Sequence, residues 1–139
     1  MRLVGIGGTT AGAMTADERI TVERIEHVAV VVTDVLRAKD FYGRVLGMTE
    51  VPRPASFDFG GAWYRNGPTD LHLITNPEAD ARSRRHVAFF VSDLRQAARV
   101  LERERFPVRW ETKYKIIGLD RFFTEDPDGN RIEIMGREA

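Results

Sequence analysis

The side chains able to ligate a metal or carry a proton near neutral pH are few in this sequence. There are three histidines, His27, His72 and His86, and no cysteine. Thiolate metal sites, cysteine nucleophiles and disulfide scaffolds are thereby excluded. His27 and His86 each open a similar segment, HVAVVVTD at 27–34 and HVAFFVSD at 86–93, offset by 59 residues. His72 follows His27 by 45 residues, and Glu133 follows His86 by 47. All three histidines and one carboxylate therefore fall at only two repeat-equivalent positions. If the two halves are related by a pseudo-two-fold axis, these four side chains converge on a shared seam. Neutral imidazoles with a carboxylate bind a divalent first-row metal, and two histidines plus one carboxylate leave positions open for a substrate. Such an ion acts as a Lewis acid on two neighbouring oxygens or, as iron, activates dioxygen. Taken one at a time, the residues have plainer readings. A strand histidine is commonly a hydrogen-bonded core residue, and Glu133 in Arg131–Met135 could be the polar half of an alternating strand. Those readings give no reason for every histidine to obey the repeat.

The elements that must position these groups are written twice. Residues 25–33 (IEHVAVVVT) are a β-branched apolar run that suits a strand buried on both faces. Asp34 then caps a helix with an apolar stripe of Leu36, Ala38, Phe41, Tyr42, Val45 and Leu46, closed by Gly47. Extended segments follow at 48–51, 59–65 and 71–75, separated by Pro52, Pro54 and the Asn66-Gly67-Pro68 turn. After a polar linker at 76–85 the pattern restarts. A strand from His86 leads to a helix carrying Leu94, Ala97, Ala98 and Leu101, then to extended segments at 107–110, 121–124 and 131–135. The last two are joined by the tight-turn sequence Asp126-Pro127-Asp128-Gly129-Asn130. The reading is two βαβββ units, at 24–75 and 86–136, in one domain spanning 20–139. Neither unit alone would bury much core, so they must pack as one body.

Composition bounds the function. At 139 residues with 42% apolar and 30% charged residues, the chain is a globular domain that needs no metal or disulfide merely to fold. Its 21 basic and 21 acidic residues cancel, which removes the bulk charge of a nucleic-acid binder. No apolar run is long enough to span a membrane or form a signal peptide, so a cytoplasmic protein without a membrane partner is expected. Residues 1–19 show no sustained period and read as a mobile tail. Gly5, Gly7, Gly8 and Gly12 lack the strand and helix that a dinucleotide-binding turn needs. The arginines at 82, 84 and 85 beside Asp80 read as solvated linker.

The paired HVAxxV-[TS]-D openings, the helix end FYGRVLG at 41–47 and the DPDGNRIE ending at 126–133 resemble the vicinal oxygen chelate superfamily. That group contains glyoxalase I, fosfomycin-resistance transferases, methylmalonyl-CoA epimerase, extradiol dioxygenases and bleomycin-binding proteins. The resemblance covers residues 24–136 and is specific for fold, not for reaction. It implies an α+β fold, a curved eight-stranded mixed sheet around a metal, with the helices outside. The implied ligands are His27, His72, His86 and Glu133, for one divalent ion per site (Fe, Mn, Ni, Co or Zn). His27, His86 and Glu133 match the two-histidine, one-glutamate set of the dioxygenases and fosfomycin enzymes. The remaining position is usually Glu in glyoxalase I and Gln in the epimerase, whereas His72 stands here. Glu133 is then the only ligand left to move a proton in a glyoxalase-type isomerisation.

The resemblance also implies that Trp63, Arg65, Lys113, Tyr114, Lys115 and Arg121 lie along the cup. Cations there suit a carboxylate, phosphonate or glutathione-like substrate, although the plainer reading is that Lys113 and Lys115 are a solvated loop and Trp63 is core. The expected function is a glyoxalase I-like lyase or isomerase that stabilises an enediolate-type anion of a small substrate. An extradiol-type dioxygenase and a non-catalytic antibiotic- or metabolite-binding protein are the alternatives. A homodimer is expected, with units paired within one chain or exchanged between two.

Overall fold

The computed structural model describes residue 12 and residues 18–139. The expected tail at 1–19, with its glycines at 5, 7 and 8, lies almost wholly outside the described residues. The β-branched run forms β1 (His27–Val32). Asp34, in extended conformation, caps α1 (Val35–Lys39) by accepting the Arg37 N–H at 3.0 Å. The helix then widens into a π-helical turn over Asp40–Val45, a change of pitch that the apolar stripe does not announce. Gly47, at φ 73°, takes the left-handed conformation that ends it. Strands β2 (Thr49–Val51), β3 (Gly61–Arg65) and β4 (Asp70–Thr75) complete the first unit. The second repeats it as β5 (His86–Phe90), α2 (Leu94–Arg103), β6 (Arg109–Trp110), β7 (Leu119–Glu125) and β8 (Arg131–Arg137). Asp93 caps α2 as Asp34 caps α1, accepting from the Gln96 N–H.

The eight strands form two four-stranded mixed sheets, ordered β1-β4-β3-β2 and β5-β8-β7-β6, which do not join into one continuous sheet. In each, the first and last strands of the unit pair parallel and the remaining pairs are antiparallel. The registers repeat as well. Ala29 pairs with His72 and Trp63 with His72 in the first sheet; Ala88 pairs with Glu133 and Phe123 with Glu133 in the second. Each last-strand candidate ligand thus has an alanine on one side and an aromatic residue on the other.

Both sheets bury one face. Val30, Val32, Leu71, Leu73, Phe122, Ile132 and Ile134 join Phe41, Tyr42, Ala98 and Leu101 from the helical segments in one core. The seam between the units is held by directed contacts. The buried Tyr42 hydroxyl donates to Asp126 Oδ2 at 2.8 Å, the Thr33 N–H to Asp128 Oδ2 at 2.9 Å, and Asn130 Nδ2 to the Val31 carbonyl at 2.9 Å. Phe41 packs edge-on against Phe106, and Arg44 bridges Asp40 and Glu104. Among the described residues no helix is long and apolar enough to cross a membrane.

Two expectations are corrected. β1 is not buried on both faces: Val30 and Val32 are, but His27, Ala29 and Val31 are exposed. The helices cover only one face of each sheet, so the other stays open however apolar its residues are. Leu36, assigned to the helical stripe, is 74% exposed, because the short helix turns Val35 and Ala38 to the core and Leu36 away from it.

Candidate metal centre

Strand alternation decides where the four candidate ligands point. On β1 the odd-numbered side chains, beginning with His27, occupy the open face, and His72 on β4 shares it. Their rings stack with centroids 4.2 Å apart. Trp63 from β3 stacks on the other side of His72 at 4.0 Å, within 3° of parallel. Phe57 lies 5.1 Å beyond Trp63, and Phe59 5.6 Å beyond Phe57. A row of five rings therefore crosses the open face of the first sheet. His72 is 8% exposed, and its Nε2 is buried with no hydrogen-bond partner. Burial, reinforced by the neighbouring His27, lowers the His72 pKa and keeps the ring neutral, the form a metal requires.

The open face of the second sheet carries the other two. His86 Nε2 sits 3.2 Å from Glu133 Oε1, and Glu133 is 6% exposed. His86 Nδ1 donates to the Arg84 carbonyl at 2.9 Å. That bond fixes the ring so that Nε2 is the nitrogen turned to the carboxylate. A proton or a metal ion placed between the imidazole nitrogen and the carboxylate oxygen would satisfy both. The unpartnered His72 nitrogen and this opposed pair both fit a divalent ion. Arg121 approaches the same Glu133 oxygen, with Nη1 at 3.2 Å.

The structure thus joins the predicted ligands in two pairs, His27 with His72 and His86 with Glu133, on two sheets. Among the described residues no three potential ligands of this kind gather into one metal-sized group within the chain. A cleft of about 410 Å³ on the seam touches His86 but none of the other three. Of the predicted pocket residues, Trp63 and Arg121 touch candidate ligands. Lys115 instead pairs with Asp120 at 2.8 Å, Lys113 lies over the ring of the exposed Tyr114, and Arg65 reaches Asp70 at 3.4 Å. The arginine at 82 pairs with Asp80 in solvent, as linker. Phe57 and Phe59 were missed, though their period-two spacing with Trp63 was a usable signal. The Tyr42–Asp126 bond, between positions 84 residues apart, left no such signal.

Twice-written βαβββ units, each forming a four-stranded mixed sheet with one open face, define the architectural class. Within that class the chain belongs to the Glyoxalase/Bleomycin resistance protein/Dioxygenase superfamily, whose family model matches residues 24–134. It is 30% identical over 124 residues to "Glyoxylase I 4" of Arabidopsis thaliana, covering 83% of this chain and 71% of that protein. It is 32% identical over 124 residues to the uncharacterized protein YaeR of Escherichia coli (strain K12), covering 81% and 95%. A solved structure from Bacillus anthracis, described as that of a glyoxalase family protein, superposes with a TM-score of 0.78 at 29% identity, covering 86% of this chain and 99% of the other.

Proposed function

We propose that the protein is a divalent-metal-dependent, glyoxalase I-like lyase or isomerase whose site is completed by a second copy of the chain. The carrying observation is the division of the ligands: each open face holds one pair, and each pair lacks the partners that the other supplies. His27 and His72 of one chain would hold the ion together with His86 and Glu133 of another. An ion held there would supply Lewis-acid stabilisation of negative charge on a substrate with adjacent oxygens. Glu133, the only carboxylate of the set, moves the proton; its burial excludes bulk water from that transfer. Apolar side chains left open on the same faces, Val31 (39% exposed), Ile74 (37%) and Phe90 (51%), support a homodimer that covers them.

The protein should purify with close to one divalent ion per chain. Glu133→Ala and His86→Ala should each lose most of it, since neither leaves a replacement ligand. Equal metal content in parent and both variants would remove the site assignment. Oxygen uptake with catechols in the presence of Fe(II) would instead favour the dioxygenase chemistry of the same ligand set. The ring row from His27 to Phe59 supports a second reading, non-catalytic binding of a flat aromatic ligand. That reading expects such ligands to bind equally well after Glu133→Ala.

A further inference from the structure

Glu133 is a buried carboxylate whose negative charge needs a counter-ion whenever no metal is bound. The structure provides one. Arg121, on β7 next to β8, is 16% exposed at its side chain and places Nη1 3.2 Å from Glu133 Oε1, the oxygen that also faces His86. Its other terminal nitrogen, Nη2, donates to the Tyr114 carbonyl at 2.7 Å and lies 3.6 Å from Glu111 Oε1. The guanidinium is therefore anchored at a second place, independent of Glu133. Its Nε is buried without a partner, so the present position does not satisfy the whole group. We propose that Arg121 is a positioning residue and built-in competitor for the metal. It neutralises Glu133 in the metal-free protein and yields the carboxylate to an incoming divalent ion, staying tethered by Tyr114 and Glu111. The inference rests on Glu133 being a metal ligand and adds the group with which the ion must exchange.

Titration calorimetry with Mn²⁺ on metal-stripped parent, Arg121→Gln and Arg121→Lys protein tests this, with melting temperatures measured with and without Mn²⁺. Removing the guanidinium should tighten Mn²⁺ binding about tenfold, whereas Arg121→Lys, which keeps the charge, should stay within about threefold of the parent. Arg121→Gln should melt below the parent when metal-free and close to it when saturated, because the ion then supplies the missing charge. Unchanged or weaker binding in Arg121→Gln, or an equal loss of melting temperature with and without Mn²⁺, would overturn the proposal while leaving the metal site standing. Mn²⁺ binding by Arg121→Gln but not by the parent would uphold the competitor role and count against a metal-dependent parent enzyme. Binding by neither protein would remove both.

Discussion

His72 is 8% exposed with an unpartnered Nε2, and the proposed ligand role would require that nitrogen to keep its lone pair free. Its pKa lies below the ordinary value of 6.5, chiefly through burial, with His27 adding to the effect. The folded state therefore binds this proton more weakly than the unfolded chain. The stability that follows is complete above about pH 6.5 and is lost as the pH falls towards the folded value. In metal-free protein, the His72 ring resonances should titrate below the range of an exposed imidazole. The fall in melting temperature between pH 7 and 5 should be shallower in His72→Gln. Titration of His72 at or above the ordinary value would contradict its burial in the folded chain. The stacking on Trp63 supplies a second probe, because a charge or ion placed on His72 should change the indole fluorescence.

At the scale of elements, the turn between β7 and β8 does more than reverse the chain. Asp126 is 4% exposed and accepts from the Tyr42 hydroxyl, the Asn130 Nδ2 and the backbone N–H groups of Asp128 and Asn130. Burial raises the Asp126 pKa against those bonds, and it also raises that of Tyr42. The same turn grips β1 through Thr33 and Val31. Tyr42→Phe removes one donor from a buried carboxylate and should cost about 1–3 kcal/mol, read as a lower urea midpoint with little change in slope. A loss confined to the second unit, with the first unfolding as before, would show that the two units do not depend on this seam.

The whole molecule leaves the polar-and-aromatic faces of both sheets open while its helices and seam close the opposite side. This is the arrangement expected of a subunit that meets a second copy face to face. Light scattering at micromolar concentration should give the mass of a dimer. Mixing inactive His27→Ala and Glu133→Ala chains after exchange should restore about a quarter of the parent's sites, because half of randomly paired dimers are mixed and each rebuilds one of two sites. No recovery from mixed dimers would place each site within one chain.

Much of this was legible in residue order. The repeat at an offset of 59 residues, the caps at Asp34 and Asp93, the break at Gly47 and all eight strands follow from local patterning, which depends on neighbours a few positions away. The four candidate ligands were legible for the same reason, as equivalent positions in two copies of one pattern. What local pattern does not encode is which face of a strand is covered. The apolar run of β1 reads alike for a buried strand and for one whose second face waits for another chain, and only the placement of the helices separates them. Nor does residue order reveal that the ligands separate into two pairs, that Arg121 occupies Glu133, or that Tyr42 reaches Asp126. Each depends on how distant segments pack against one another, and tertiary structure alone determines those distances.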